Sequence, residues 1–524
     1  MKISFLNQSK KKRIWPLVVF SSFLRMLPAA LLELGNDEVY YREYALHLQW
    51  NYFDHPPMVA LLIRLSTFNL HLDHELFIRL GSILCAGFST LLIYRIGCLI
   101  RNESTGWIAA VLFTSSFYSS VIAGTFILPD APEVLFWLLS IYGMIRVLEP
   151  GERHKICSIY FIFLGVTIGL CTMSKIHGLF LWIGFGGYIL FHRRDLLRNP
   201  FLWLSAIITL FLISPIYFWN LGNHFITYQY HQARIVALGR PDPGYFLQQL
   251  FGSMAYANPV NFILYAVMLY ALIKRRMGPL PGFYPLFLWL SFPLIGILLW
   301  ISLFNETLPH WSGPAYLSIM LMTALYADHK WPFRIWPPWV KAAFVVYCIT
   351  VIFGTAFIRF LPFPFGSKDQ KTLGKGDISL DMSGWRDFAI QFDSLYRQDL
   401  REGRMKPSSA IISDYWFPAS HLDHYIALPN HLNLLAIGPL HDIHQFAWLN
   451  ERRPRLTKGT DAYFIYPSNY YGPPKVSLKG DFASVEDSIV VPQYKLKKRV
   501  RNFVIYRMHD YIGSPADYLI PGIR

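Results

Sequence analysis

Long apolar stretches with few or no charges alternate with short polar segments over the first 360 residues. Stretches such as Gly106–Leu128 and Phe201–Trp219 are long enough to cross a bilayer core of about 30 Å. The pattern predicts a polytopic α-helical membrane protein with about eleven transmembrane helices. The predicted spans are 14–34, 76–99, 105–126, 131–148, 156–174, 177–191, 201–220, 259–273, 283–303, 313–327 and 338–359.

The pattern changes near residue 360, where charged residues reach the density of a soluble domain and span-length apolar runs stop. Short β-rich runs predict strands, and apolar positions at helical spacing predict helices. We therefore expect a membrane domain at 1–359 and a soluble α/β domain at 360–524. The predicted strands are 410–413, 462–466 and 503–506, and the predicted helices are 382–400 and 417–425.

The charge distribution predicts the orientation of the chain in the membrane. Lys and Arg concentrate at one set of loop ends, including Lys10–Arg13 and Lys274–Arg276, which places these ends and the N-terminus in the cytoplasm. The opposite loops, with the C-terminal domain, are then periplasmic. The net charge of +15 follows from this asymmetry, so it does not indicate a nucleic-acid partner. We expect the first apolar run to be a retained anchor rather than a cleaved signal peptide.

The first outer loop, 36–75, is too apolar for a solvated linker. Asn36 is a good N-cap for a short helix that carries Asp37 and Tyr41 on one face, and Pro56-Pro57 suits the start of a second helix. Two helices in the membrane interface would hold Asp37 beside lipid head groups. The alternative is that Asp37 only complements the dipole of its helix N-terminus.

Other ionisable residues lie on the outer turns or inside the spans. Asp130 stands between two prolines, where it could be a site residue or an N-cap. Lys175, in an outer hairpin, and Arg25, near mid-membrane, could bind the phosphate of an anionic lipid. For Lys175 the alternative is snorkelling to the interface. His310, followed by Trp311, could orient a sugar or share a proton, although a Trp there is also typical of the interface belt.

Motifs for soluble cofactors are absent from the sequence, which contains no Gly-rich nucleotide loop, no Walker motif and no metal-spaced His/Cys cluster. A lipid-borne substrate is therefore favoured over a soluble nucleotide. The Asp37-Glu38 pair could contribute to a Mg²⁺ or Mn²⁺ site, but one acidic pair supplies too few ligands to predict one.

Taken in order, these motifs resemble the bacterial polyprenyl-phosphate-dependent glycosyltransferases of the GT-C fold. The resemblance is to the lipid A aminoarabinose transferases and their protein O-mannosyltransferase-like relatives, and it spans 14–359. It implies transfer of a sugar from a polyprenyl phosphate, typically undecaprenyl phosphate, at the periplasmic side of a bacterial inner membrane. The acceptor would be lipid A or lipopolysaccharide, or another envelope glycan or a protein. The motifs are Asp37–Tyr41, Tyr52–Pro57, Pro129–Pro132, Ser174-Lys175, Trp219-Asn220 and His310–Tyr316.

The resemblance also implies roles for single residues. Asp37 matches the leading catalytic acid of the family, and Asp130 matches the acid that assists it. The chain departs from the aminoarabinose transferases at His55, where they carry Lys, so the donor sugar and the acceptor stay open. The candidates for substrate binding are Glu38, Tyr40, Tyr41, His55, Lys175, His310 and Arg25.

Two other functions share parts of this pattern. A transporter or flippase of lipid-linked sugars would also have many spans and a buried arginine, but the sequence shows no internal hydropathy symmetry. A polymerase of surface polysaccharide would use the same donor chemistry. Clustering of the polar motifs on one side of the membrane favours chemistry at the surface over transport.

Overall fold

The structure is a computed structural model that describes residues 13–149, 154–236, 240–332, 334–360, 365–470 and 472–513. The basic residues Lys10–Lys12, which contribute to the predicted orientation, lie outside these ranges. The chain divides into two packing units. The first comprises residues 1–29 and 49–352, and the second comprises residues 30–48 and 353–524.

Helices dominate the first unit, and the second combines helices with a sheet. In chain order the α-helices are α1 (Ile14–Leu31), α2 (Asn36–Leu46), α3 (Met58–Ser66), α4 (Glu75–Ile100), α5 (Glu103–Ser115), α6 (Asp130–Leu148), α7 (His154–Ser174), α8 (Leu179–His192), α9 (Pro200–Gly222), α10 (Ile226–Ile235), α11 (Pro243–Ala257), α12 (Pro259–Ile273), α13 (Pro285–Ile301), α14 (Tyr316–Lys330), α15 (Pro338–Phe360), α16 (Trp385–Arg401), α17 (Trp416–Leu422), α18 (Leu440–Ile443), α19 (Phe446–Asn450) and α20 (Val476–Gly480).

Every predicted span except 105–126 coincides with a helix for most of its length, which confirms a multi-pass membrane protein. Within the described ranges five helices, α1, α4, α6, α9 and α15, are long and apolar enough to cross a bilayer. A sixth span results if α11 and α12, which meet at a bend of 103°, are counted together. The number eleven thus stays a prediction, because shorter apolar helices account for the rest.

The predicted span 105–126 is wrong as a single helix. Helix α5 ends at Ser115, Ser116 is extended, and a π-helical turn, Tyr118–Ile122, follows. The cause is the run of hydroxyl side chains, which bond to the backbone in competition with helical hydrogen bonds. The Ser120 hydroxyl donates to the Thr114 carbonyl at 2.5 Å, for example. Such π-turns are frequent at functional sites.

Close helix packing in the first unit depends on glycine. A Cβ atom at Gly97 of α4 would stand 2.5 Å from the Cα atom of Gly106 on α5. The two backbones can therefore approach only because both positions lack a side chain, as is common between membrane helices. This contact fixes α5 beside α4 and sets the position of the π-turn that follows α5.

A six-stranded sheet forms the centre of the second unit. The strand order is β2-β1-β3-β6-β4, and β5 also pairs with β6. β1 is parallel to β2 and β3, whereas β6 is antiparallel to β3, β4 and β5. The predicted strands and helices of this region are present, which confirms the α/β class. The strands are β1 (Ala410–Ser413), β2 (Leu434–Ala436), β3 (Ala462–Pro467), β4 (Phe482–Val485), β5 (Ile489–Lys495) and β6 (Lys498–Tyr511).

Helix α2 packs in the second unit, although the sequence predicts a boundary at residue 360. The Tyr40 ring lies 4.7 Å from the Trp416 ring, and the Tyr40 hydroxyl accepts a hydrogen bond from the backbone N–H of Gln445. The N-cap is Gly35 rather than the predicted Asn36, because the Asn36 amide oxygen is 3.0 Å from Nε2 of His421. Aromatic and polar contacts therefore hold α2 in the second unit, although its residues precede the predicted boundary.

A buried charge cluster also holds α2 in this unit. Arg453 bonds to Glu43 at 3.2 Å and to Asp423 at 2.9 Å. Burial raises the pKa of Glu43 well above its ordinary value, the nearby Asp423 adds to this, and Arg42 and Arg453 oppose it. The guanidinium thus keeps two buried acids together.

Replacing Arg453 by Met should reduce the free energy of unfolding of the second unit by about 3–5 kcal/mol at pH 8, because two buried carboxylates lose their counter-charge. The loss should shrink at pH 5. Without Arg453 the pKa of the buried Glu43 carboxyl rises further above its unfolded value, so stability is retained at low pH and lost as pH rises. Thermal unfolding followed by Trp fluorescence measures this, with the exposed Arg397→Met as control. Equal losses in both variants would contradict the account.

Candidate active site

A buried ion pair joins the start of α6 to the turn after α7. The Lys175 ammonium lies 3.0 and 2.9 Å from the two carboxylate oxygens of Asp130, and both residues are at most 4% exposed. Pro129, not Asp130, is the N-cap of α6. The geometry therefore favours the site interpretation of Asp130 over the cap, and Lys175 points inward to an acid instead of snorkelling to water.

Tyr118, on the π-turn, is a second hydrogen-bond donor to the Asp130 carboxylate. Its hydroxyl donates to the Asp130 carboxylate at 3.1 Å, and its ring packs on Gly313. A Cβ atom at Gly313 would stand 2.3 Å from the Tyr118 ring. The π-turn and Gly313 together position the Tyr118 hydroxyl against the Asp130 carboxylate.

Substituting Gly313 by Ala should displace the Tyr118 ring, because a real Cβ contact is never that short. We expect the unfolding free energy to fall by about 1–3 kcal/mol, as in other overpacked interiors. The companion variant Tyr118→Phe removes the hydroxyl and keeps the ring. Thermal unfolding of the two variants and of their combination checks the contact. A combined loss equal to the sum of the single losses would mean that Gly313 and Tyr118 are not coupled.

Glu133 and His177 lie beside this ion pair. Glu133 follows Asp130 by one helical turn and is fully buried. Nδ1 of His177 lies 3.6 Å from its Oε1 atom, and the His177 ring is 6.2 Å from the Trp311 ring. The site thus contains a second acid, with an imidazole rather than an ammonium as its neighbour.

Three further histidines surround the cluster. Burial lowers the pKa of His310 to about 4, with the positive charge of Lys175 acting in the same direction. Burial also lowers the pKa of His55 well below its usual 6.5, and Lys175 and His231 add to this effect. Burial likewise lowers the pKa of His231, whose Nε2 is 2.9 Å from the Asp54 carbonyl. All three are neutral at pH 7, so Lys175 rather than His55 is the fixed cation here.

Four candidates of the first outer loop lie in the second unit, whereas His55 of the same loop lies in the first. The four are Asp37, Glu38, Tyr40 and Tyr41. Asp37 is exposed in the first turn of α2. Glu38 is buried and accepts a hydrogen bond from the Gly35 backbone N–H at 2.8 Å. Tyr40 and Tyr41 are buried, with their ring centres 5.8 Å apart. Glu38 and Tyr40 therefore have structural partners, and the Asp37 side chain is exposed.

Arg25 is fully buried in α1. It donates to the hydroxyls of Ser21 at 3.0 Å and Ser120 at 2.9 Å. Because Ser120 belongs to the π-turn, the hydrogen bonds of Arg25 connect that turn to α1. A role in phosphate binding stays a prediction.

The residue types required for a metal site are not grouped in the described parts of the chain. No three or more His, Cys, Asp or Glu side chains are arranged there to hold an ion. The carboxylate of Asp130 does not fit a hard cation, because the Lys175 ammonium engages both of its oxygens. Participation of Asp37 and Glu38 in a Mg²⁺ or Mn²⁺ site stays a prediction.

Comparisons with known proteins give consistent matches. The family model of dolichyl-phosphate-mannose-protein mannosyltransferases matches residues 54–219. A lipid A galacturonosyltransferase, RgtD of Rhizobium johnstonii, is 22% identical over 309 residues, which is 56% of this chain and 61% of that protein. The alignment therefore spans less than two thirds of this relative.

Solved structures extend the likeness to nearly the whole chain. The apo structure of ArnT from Cupriavidus metallidurans has a TM-score of 0.62 at 12% identity and covers 95% of this chain and 98% of that one. The same protein bound to undecaprenyl phosphate gives 0.63 at 13% identity and covers 93% and 97%. The chain has the GT-C glycosyltransferase fold. These matches confirm the predicted fold class, and they support the resemblance to glycosyltransferases of the ArnT and protein mannosyltransferase type.

The matched family segment includes some of the candidate residues and excludes others. His55, Asp130 and Lys175 lie within 54–219, as do Glu133 and His177. Most of the ion-pair cluster therefore belongs to the segment that the mannosyltransferase model describes.

The segment 54–219 begins after Asp37, Glu38, Tyr40 and Tyr41, and it ends before His310. Catalytic roles for Asp37 and Asp130 stay predictions.

Proposed function

We propose that this protein transfers a sugar from a polyprenyl phosphate, such as undecaprenyl phosphate, to an envelope acceptor. Lipid A or lipopolysaccharide is the preferred acceptor, since the relative RgtD is a lipid A galacturonosyltransferase. Another envelope glycan or a protein is the alternative, in view of the mannosyltransferase match. Following the positive-inside bias, the reaction takes place on the periplasmic side of a bacterial inner membrane.

The observation that carries this proposal is the buried Lys175–Asp130 ion pair. Breaking the bond between the sugar and the phosphate leaves negative charge on the phosphate oxygens. A preorganised ammonium in a water-poor site stabilises such charge more strongly than the same group in water. Asp130 orients Lys175 until the phosphate arrives, and the Tyr118 hydroxyl orients Asp130.

Asp37 is the proposed leading catalytic acid residue. An acceptor hydroxyl must lose its proton as it attacks the sugar carbon, and an exposed carboxylate on the first turn of α2 can accept it. If the acceptor is a phosphate, no base is required and Asp37 orients the acceptor instead. The chain contains both a base for the acceptor and a cation for the leaving group, as glycosyl transfer requires.

Sealed and permeabilised vesicles separate transfer from transport. With a radiolabelled polyprenyl-phosphate sugar and lipid A on both faces, the proposal expects label in lipid A in both preparations. A transporter or flippase would need the sealed membrane and would leave the sugar on its carrier. Carrier-linked label that only changes leaflet would disprove glycosyl transfer.

Mass spectrometry of envelope glycolipids identifies the natural substrates. A strain lacking this gene should lose a single sugar mass from lipid A, and the wild-type gene should restore it. A loss confined to a protein or to another glycan would replace lipid A as the acceptor and leave the donor chemistry intact.

A further inference from the structure

Glu133 and His177 carry polar atoms that the fold leaves unused. Both carboxylate oxygens of Glu133 and the Nδ1 atom of His177 are buried without a hydrogen-bond partner among the residues that the structure describes. Glu133 is 0% exposed and the His177 side chain 13%. Buried polar atoms are nearly always paired, so three adjacent exceptions beside an ion pair call for a ligand or a proton.

The formal charge of the cluster is balanced before any substrate binds. The Lys175 ammonium cancels the Asp130 carboxylate. Glu133 and His177 share one proton, either as carboxylate and imidazolium or as carboxyl and imidazole, and they are neutral as a pair in both cases. A lipid phosphodiester carries one negative charge, and a buried charge without compensation is strongly disfavoured. One more positive charge is therefore needed when the donor binds.

Other groups that face the cluster do not supply that charge. His55, His231 and His310 are neutral because burial lowers the pKa of each. The Arg234 guanidinium is engaged by the Trp311 and Tyr230 rings, whose centres lie 5.2 and 5.5 Å away, and among the described residues it makes no polar contact with Asp130, Lys175, Glu133 or His177. The Tyr118 hydroxyl donates a hydrogen bond to the Asp130 carboxylate but keeps its proton, so it adds no charge.

We propose that Glu133 and His177 form the proton-accepting part of a phosphodiester site whose fixed cation is Lys175. This inference rests on the proposed function and adds to it how the site matches the charge of its donor. When the phosphodiester binds, the pair takes one proton from water, which leaves a neutral carboxyl on Glu133 and an imidazolium on His177. No covalent bond changes in this step.

The Trp311 ring lies beside the His177 imidazole. The two ring planes are inclined at 61°, with the ring centres 6.2 Å apart. The distance of 3.6 Å between Nδ1 and Oε1 leaves room for the two groups to close to a hydrogen bond after the proton arrives. His177 also lies two residues after Lys175, so a phosphate on Lys175 is within its reach.

Binding of farnesyl methyl phosphodiester to the purified protein tests the inference, because its single charge does not titrate between pH 5.5 and 8.5. We expect the affinity to rise about tenfold for each unit by which pH falls within this range, since one proton is bound along with the ligand. Calorimetry in buffers of different ionisation enthalpy should show uptake of about one proton. In His177→Gln the pH dependence should be lost.

Matched controls keep the result interpretable. His192→Gln, at the exposed end of α8, should retain the wild-type slope. Unfolding temperatures show whether each variant is folded, and the proton uptake of the wild type tests the inference if His177→Gln is not. A wild-type affinity that does not change with pH, or a slope that persists in a folded His177→Gln, would refute the inference. Absence of phosphodiester binding at every pH would instead count against the proposed function.

Discussion

Replacing Lys175 by Met should abolish sugar transfer. The substitution removes the fixed cation that stabilises the leaving phosphate, and we expect the transfer rate to fall by about 10²- to 10³-fold or more, the loss typical of a preorganised charge-stabilising group. It also leaves the Asp130 carboxylate buried without its partner at 2.9 Å, which costs about 3–5 kcal/mol of stability. Loss of activity alone would not separate these two effects.

The double variant Lys175→Met with Asp130→Asn separates them. With both charges removed, the desolvated carboxylate is gone and most of the stability should return. Activity should stay at the level of the single variant, because no cation faces the phosphate. Transfer from a radiolabelled polyprenyl-phosphate sugar and thermal unfolding are measured side by side. Recovery of transfer in the double variant would show that Lys175 only neutralises Asp130.

Replacing Asp37 by Asn should lower the transfer rate by about 10²- to 10⁴-fold if the acceptor is a hydroxyl, the range for loss of a general base. Asn keeps the size of the side chain and cannot take a proton. Because Asp37 is exposed, stability should change little. Asp393→Asn on α16 is the matched control, a partly exposed acid paired with Arg397 in the same unit.

The pH profile refines this expectation. In the wild type, transfer should fall at low pH as Asp37 becomes protonated, whereas the residual activity of Asp37→Asn should not show that decline. A full rate in Asp37→Asn would remove Asp37 as the base. If the acceptor proved to be a phosphate, a smaller loss with a raised KM would be expected instead, because Asp37 would then only orient it.

Hydrophobic patterning was sufficient to predict the helices but not their interruptions. The apolar spans predict helices close to those observed because a membrane leaves the backbone few alternatives. The break at Ser116 could not be read from hydropathy, since the hydroxyls that cause it count as only mildly polar. In the second unit the pattern misses β2, which has three residues, β4, which has four, and β5, which contains Pro492.

The candidate site, too, was only partly predictable from the sequence. Asp130 and Lys175 are visible in the sequence as isolated charges, but their pairing across 45 residues depends on how α6 packs on α7. Tyr118 carries no signal in an apolar run. Glu133 and His177 could have been suspected from their spacing, one helical turn after Asp130 and two residues after Lys175. The partners of α2, in contrast, lie nearly 400 residues away, beyond any local pattern.

Reconstituted transfer tests the central claim most directly. Purified protein in proteoliposomes is given lipid A and polyprenyl phosphates that carry aminoarabinose, galacturonic acid or mannose, and both products are followed by mass spectrometry. We expect one of these donors to yield glycosylated lipid A and free polyprenyl phosphate in equal amounts, and Lys175→Met to yield neither. Formation of neither product with any of the donors, or release of the sugar to water at the same rate without the acceptor, would contradict the account.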